Sequence, residues 1–151
     1  MTPNEAKADC EAQIRGLLDD WVTAIRAKDV EHVVSHYAPD VVSFDLAPPL
    51  DYRGTEEIRR SLEEWFPTFR GPVGYEIHDL SVTVGDEVAF SRSLNHITGK
   101  RTNDEETDVW VRATVCYQRS GGKWLIAHEH ISVPFYMEGS YKAALDLKPS
   151  R

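Results

Sequence analysis

The 151-residue sequence has few cysteines, no long apolar run and a deficit of positive charge. Cys10 and Cys116 lie far apart without CxxC or Cys/His spacing, so we expect reduced thiols rather than a disulfide framework. No apolar run approaches the ~20 residues that cross a bilayer. Seventeen Lys and Arg against 25 Asp and Glu give a net charge of -8, the wrong sign for following a phosphate backbone. Neither a membrane nor a nucleic acid is an expected partner.

The first residues, MTPNEAKADCEAQ, also lack the basic start and apolar centre of a signal peptide, so we expect a cytoplasmic location. A chain of this length buries enough surface, roughly 68–70%, to fold without a metal or disulfide. It contains no internal repeat or linker. We therefore expect one domain over residues 1–151, with a core at about 10–135 and a tail that forms a short helix or stays loose.

The sequence does contain three helical patterns followed by strands. Thr2 caps a first helix whose apolar residues recur every three or four positions to about residue 27. Asp29 caps a second, short helix that runs to Pro39, a short strand covers 41–46, and a third helix follows Gly54. Four longer strand patterns then lead to about residue 134. This order predicts an α+β domain, with helices covering one face of a mainly antiparallel sheet.

Strand parity sorts the polar residues by face, because successive side chains point to opposite sides of a sheet. In the last strand, His128 and His130 share parity with Trp124 and Ile126, while Glu129 has the opposite parity. One face is thus predicted to gather several polar groups among apolar ones, as in a small-molecule pocket. Its members would be Arg92, His96, Trp110, Arg112, His128 and His130, with Asp45 nearby. Glu129 would be an interface or surface carboxylate.

The other face of the last strand is also apolar, with Leu125, Ala127, Ile131 and Val133 around Glu129. A strand that is apolar on both faces needs cover on both. Helices can cover one face, and a second copy of the chain can cover the other. We therefore predict a homodimer formed through the sheet.

The segments AIRAKDVEHVVSHYAPDVVSFD, GTEEIRRSLEEWF and GGKWLIAHEHISVPF resemble the nuclear transport factor 2-like superfamily, in its SnoaL-like, ketosteroid-isomerase-like branch. The resemblance covers about residues 10–135. It implies a conical domain in which a curved sheet wraps the helices and encloses a pocket, commonly dimerising through the sheet. Members include isomerases, cyclases and dehydratases, and also non-catalytic association modules, so the fold does not fix the function.

Two residues can be carried over from this resemblance. Asp45 lies near the position at which ketosteroid isomerases have a carboxylate base, whereas the strand expected to carry their second acid has Trp110, Arg112 and Thr114 here. Arg92 matches one of the arginines that line the cavity of the association domain of calcium/calmodulin-dependent kinase II.

Each candidate group also has a plainer interpretation. His128 and His130 could bind a metal if Asp45 or His96 completed the set, but no third ligand has a diagnostic spacing, so neither metal nor cofactor is predicted. Asp45 could be a base if apolar surroundings raise its pKa, or it could pair with Arg92 or Arg112, which would lower the pKa.

We expect a pocket protein for a small hydrophobic or anionic molecule. The first hypothesis is an acid/base isomerase, cyclase or dehydratase acting on a hydrophobic carbonyl compound. Asp45 would be the base, and one or both of His128 and His130 would move the proton or polarise the carbonyl. Arg112 would stabilise negative charge and Trp110 would pack the ring. The alternative is a non-catalytic ligand-binding or association domain.

Overall fold

The N-terminal part of the chain is helical, and a computed structural model describes it together with the rest of residues 2–150. Helix α1 spans Pro3–Arg26 and begins with a capping box, in which the Thr2 hydroxyl accepts from the Glu5 amide and the Glu5 carboxylate accepts from the Thr2 amide. Helix α2 spans Val30–Val34 and α3 spans Gly54–Trp65, followed by a 3-10 turn over Phe66–Thr68.

Helix α2 is shorter than its sequence pattern predicts. The Asp29 cap is confirmed, since its carboxylate accepts from the His32 amide, but the helix ends at Val34 and a strand begins at Tyr37. The cause is long-range pairing: the Ile126 amide donates to the His36 carbonyl at 2.8 Å. A partner strand thus overrides a local helical preference.

Six strands form one sheet in the order β2-β1-β6-β5-β4-β3. Neighbours are antiparallel except for β1 and β6, which are parallel. The strands are β1 Tyr37–Phe44, β2 Tyr52–Arg53, β3 Phe69–Val84, β4 Val88–Arg101, β5 Glu106–Ser120 and β6 Lys123–Ser132. The sheet is curved and the helices lie in its concavity, so the predicted α+β cone is confirmed.

A β-bulge in β6 decides which side chains face the helices. Tyr117 of β5 pairs with Ile126, but the next residue back, Cys116, pairs with His128, so Ala127 is an extra residue. Ile126 and Glu129 are both buried, although their parities differ. The bulge therefore exchanges the two faces of β6 between Ile126 and His128.

The core lies between α1 and the concave face of the sheet. Ile14 and Ile25 of α1 are fully buried, as are Val111 and Tyr117 of β5. Burying side chains of this size contributes about 1.5–3 kcal/mol each. The apolar parity of β5 thus faces the helices, and this fixes the concave side as the interior.

The C-terminal tail forms neither a helix nor a loose end in the described residues. The Tyr136 amide donates to the Lys142 carbonyl and the Ala144 amide donates to the Pro134 carbonyl, both at 2.8 Å. Ala144 is buried. Nowhere in residues 2–150 is there a helix with the length and hydropathy needed to cross a membrane.

Candidate functional site

A cavity of about 230 Å³ opens between α1, α3 and the concave face of the sheet. Its wall is largely apolar and aromatic, with the side chains of Trp21, Ile25, Tyr52, Ile58, Leu62, Trp65, Ile97, Val109 and Ile131. Two carboxyl groups and one guanidinium interrupt this wall, on Asp45, Glu129 and Arg101. An apolar cavity with a few converging polar groups is the usual form of a small-molecule site.

Glu129 is the most deeply held of the two carboxyl groups, with only 8% of its surface exposed. The Tyr37 hydroxyl donates to Oε1 at 2.7 Å, and the Ser43 hydroxyl donates to Oε2 at 2.8 Å. The Trp21 indole in turn donates to the Tyr37 hydroxyl at 3.2 Å. This chain of donors fixes the orientation of Glu129 at the cavity wall.

The pKa of Glu129 is raised to about 7, mainly because burial disfavours its charged form and further because Asp45 is also negative. The hydrogen bonds from Tyr37 and Ser43 act in the opposite direction, since they stabilise the carboxylate. A group with a pKa near the working pH is suited to general acid/base catalysis.

Asp45 follows the end of β1, and the alternation Val41, Ser43, Asp45 carries it to the cavity side of the sheet. The Asp45 side chain is accessible, but it faces the cavity and is surrounded there by protein atoms. The resulting loss of hydration raises the pKa of its carboxyl group. The Leu46 amide donates to Oδ1 at 2.7 Å and partly offsets the rise. Asp45 therefore lines the cavity.

The alternative in which Asp45 pairs with an arginine is wrong. Arg92 lies 4.0 Å from Asp79 on the convex side, and Arg112 Nε donates to the Ser132 hydroxyl at 3.1 Å. Both arginines are exposed. The surroundings of Asp45 thus raise its pKa, where an ion pair would have lowered it.

A layer of neutral polar groups lies beside Glu129. The Asn95 amide donates to the Tyr75 hydroxyl at 2.9 Å, and the Ser93 hydroxyl donates to Asn95 Oδ1 at 2.8 Å. A second, small cavity of about 20 Å³ reaches this layer past Glu129. Burial raises the pKa of Tyr75, so its phenol remains protonated and is a hydrogen-bond donor or acceptor without charge.

The histidines of the last strand do not line the pocket, which corrects the prediction from parity. Beyond the bulge, His128 and His130 face the convex side of the sheet, where Phe44 packs edge-on against both rings at 4.7 and 5.4 Å. The Nδ1 of His128 lies 2.6 Å from the Val42 carbonyl. Glu129, predicted to be a surface or interface group, takes the cavity position in their place.

The other predicted ligand-binding residues are also on the convex side. Trp110 stacks on His96 with ring centres 4.3 Å apart and touches His78 on its other side, and His96 Nε2 lies 2.7 Å from Asp108 Oδ1. The parity groups themselves were correct for β4 and β5. The error was the choice of side, since Arg92, His96, Trp110 and Arg112 oppose the apolar set that faces the helices.

One sequence signal for Glu129 was available. It is the single charged residue in a parity set otherwise made of Leu125, Ala127, Ile131 and Val133. A charge in an apolar set marks a position that needs a buried partner or a ligand. Arg101 carried no such signal, because it ends its strand next to the polar loop TNDEE.

The metal set considered from the sequence is not formed. Asp45 faces the cavity, whereas His128, His130 and His96 lie on the convex side. Among residues 2–150, the three groups close enough to hold an ion together are Asp20, His32 and His36, away from the cavity. Both imidazole Nε2 atoms lie 2.6 Å from Asp20 Oδ2, so hydrogen bonds between α1 and the α2 segment account for this cluster.

A helix-filled, curved sheet with a cavity between helices and sheet defines a nuclear transport factor 2-like protein. A family model of the SnoaL-like domain matches residues 14–136, and the chain belongs to this family. No curated protein matches the chain in sequence.

Solved structures agree with this assignment. A nuclear transport factor 2-like protein of unknown function from Pseudomonas putida KT2440 is 35% identical over 94% of this chain and 98% of that chain, with a TM-score of 0.86. A candidate calcium/calmodulin-dependent protein kinase II association domain from Xanthomonas campestris is 28% identical over 79% and 84%, with a TM-score of 0.69. A ketosteroid isomerase-like protein from Erwinia carotovora atroseptica is 24% identical over 80% and 93%, also at 0.69, and shows the fold alone.

Proposed function

We propose that the chain is an acid/base enzyme that moves a proton on a hydrophobic carbonyl compound, as in an isomerisation, cyclisation or dehydration. The observation that carries the proposal is the pair Asp45 and Glu129 in one largely apolar cavity. Each carboxyl group has a raised pKa, but Glu129 is the more buried and reaches about 7. Two carboxyl groups whose environments separate their pKa values take different roles.

The roles follow from which group loses its proton first. In the proposed mechanism Glu129, whose pKa of about 7 lets it keep a proton near neutral pH, is the acid, and Asp45 is the base. Asp45 then accepts the proton from the carbon next to the carbonyl group. Glu129 donates a hydrogen bond or a proton to the carbonyl oxygen as negative charge develops there. The aromatic wall of Trp21, Tyr52 and Trp65 packs the apolar body of the substrate.

The test is hydrogen–deuterium exchange next to the carbonyl of 2-tetralone in D₂O, followed by NMR. We expect the wild-type protein to accelerate exchange, and Asp45→Asn to lose about 10²–10⁴-fold of that acceleration. Asp79→Asn, an exposed aspartate on the convex side, is the matched control and should exchange like wild type. Equal rates for wild type and Asp45→Asn would contradict the proposal, and binding without exchange would favour the non-catalytic alternative.

We also propose that the convex face forms a homodimer. Phe90 is 51% and Phe44 is 38% exposed there, beside Trp110 and charges of both signs on Arg92, Arg112, Glu76 and Asp108. A two-fold interface needs a surface complementary to itself, and such a mixture meets that requirement. The residues predicted from sequence to bind ligand would then be contacts between subunits.

Light scattering at micromolar concentration tests this second proposal. We expect a species of twice 17.1 kDa for wild type and the monomer for Phe90→Glu. Leu50→Glu changes a residue that is 95% exposed outside the strands and should leave the dimer intact. A wild-type protein with a mass of 17.1 kDa would refute the interface.

A further inference from the structure

Arg101 is the one positively charged side chain among the cavity-lining residues of the described range 2–150. It stands out because the chain as a whole carries a net charge of -8, which repels anions at long range. A cation in the wall of a largely apolar cavity costs free energy unless it meets a partner.

The contacts of Arg101 hold the guanidinium in place without neutralising it. Nε donates to the Thr107 hydroxyl at 2.7 Å, and Nη1 donates to the Thr68 hydroxyl. The guanidinium plane also lies over the Phe69 ring at 4.1 Å, and Trp65 packs edge-on against that ring. All three partners of Arg101 are neutral. By contrast Arg59, outside the cavity, is paired with the carboxylates of Glu31 and Glu56.

Arg101 and the carboxyl pair occupy different ends of the cavity. Glu129 pairs with Val115 of β5, whereas the hydroxyl that anchors Arg101 belongs to Thr107, eight residues earlier on the same strand. The Thr107 anchor and the residue opposite Glu129 therefore lie at different levels of the sheet, although Arg101 and Glu129 line the same cavity. The positive end of the cavity is therefore separated from its acidic end.

We propose that Arg101 binds an anionic group, such as a carboxylate, at one end of a flat ring-bearing substrate whose reacting carbon lies at the Asp45 and Glu129 end. This inference rests on the proposed function for the identity of the reacting end, but Arg101 supplies the anion site by itself. The planar guanidinium fork matches a carboxylate, which can accept two hydrogen bonds from it. The negative charge of the carboxyl pair repels an anion at that end, so the substrate has one orientation.

The test compares 2-naphthoate with its neutral isostere 2-naphthamide, by quenching of tryptophan fluorescence and by calorimetry. Wild type should bind 2-naphthoate about ten- to a hundredfold more tightly than 2-naphthamide, the worth of a charge-assisted pair. Arg101→Gln should remove this preference and leave naphthamide binding unchanged. Arg15→Gln, which changes an exposed arginine of α1 outside the cavity, should keep it.

Arg101→Lys is a second variant in case Arg101→Gln fails to fold. It keeps the positive charge but loses the planar fork, so we expect a reduced preference for 2-naphthoate over 2-naphthamide. Equal affinity of wild type for the two probes, or no binding of either at millimolar concentration, would overturn the inference. Hydrogen–deuterium exchange of the neutral ketone 2-tetralone tests the proposed function without involving the anion site, so the two proposals can fail separately. Exchange of 2-tetralone without a preference for 2-naphthoate would support the enzyme and refute the anion site. A preference for 2-naphthoate that Arg101→Gln abolishes, without exchange of 2-tetralone, would support the anion site and refute the enzyme.

Discussion

Adjacent ionisable residues of strand β6 lie on opposite faces of the sheet and have different environments. Glu129 lies on the concave face, where it is buried, receives two hydroxyl hydrogen bonds and has a pKa of about 7. His128 and His130, its immediate neighbours, lie on the convex face against Phe44. The pKa of an ionisable group in this strand depends on the face on which it lies, because only the concave face of the chain buries such a group away from water.

The largest expected difference between the faces is in stability. The pKa of Glu129 rises from 4.5 to about 7 on folding, so its favourable contribution is complete below pH 4.5 and is lost as the pH rises through 7. Glu129→Gln does not titrate. Its free energy of unfolding should therefore gain on wild type across this window, by up to about 3 kcal/mol. Urea denaturation from pH 4 to pH 8 measures the gain, and a constant difference would contradict the buried acid.

The next effect is on the pH dependence of exchange. If Glu129 must be protonated, the wild-type rate should fall about tenfold per pH unit above 7. The maximum exchange rate of Glu129→Gln should be lower than that of wild type. It should not change with pH through this range, because an amide has no proton to lose. Glu76→Gln, on an exposed glutamate, should keep the wild-type fall. An alkaline decline that survives in Glu129→Gln would assign it to another group.

A smaller effect is expected at Tyr37. Its hydroxyl stabilises the charged form of Glu129, so Tyr37→Phe should raise the pKa of Glu129 further and move the alkaline decline upward. Stability should fall by about 1–3 kcal/mol at neutral pH, because a buried carboxyl oxygen loses its donor. Tyr52→Phe, whose hydroxyl donates to the Pro48 carbonyl, controls for loss of a pocket phenol. A downward shift would reverse the assigned role of the hydroxyl.

The smallest effect is expected on the convex face. Replacing His130 by Gln should change the free energy of unfolding of the single chain by less than about 0.5 kcal/mol, as is usual for positions that are exposed in the protomer. Exchange of 2-tetralone should stay close to wild type. A loss as large as that of Asp45→Asn would return the histidine to catalysis and break the contrast between the faces.

Much of the architecture was accessible from local patterns. The cap at Thr2 and the apolar stripe of α1 are local, and so is the alternation in β4 and β5, because each depends on residues a few positions apart. The position of Asp45 at the cavity is equally local, since its parity follows directly from β1. These features need no knowledge of which strand pairs with which.

The rest depends on pairing between distant segments. The extra residue Ala127 becomes a bulge only because Cys116 and Tyr117 of another strand pair on either side of it. The early start of β1 at Tyr37 likewise depends on Ile126. Without that register, parity carried the buried face of Trp124 and Ile126 past the bulge to the wrong residues.

The bulge has a consequence for how this fold diversifies. The side chains that reach the cavity are set by one unpaired residue. If Ala127 paired with Cys116 in a regular ladder, the carboxylate of Glu129 would turn outward and the two imidazoles would enter the cavity, with no change of amino acid. A one-residue change of register at this point exchanges an acid for bases without any substitution. Relatives with the same fold can therefore differ in the chemistry of their cavity through a change of register along one strand.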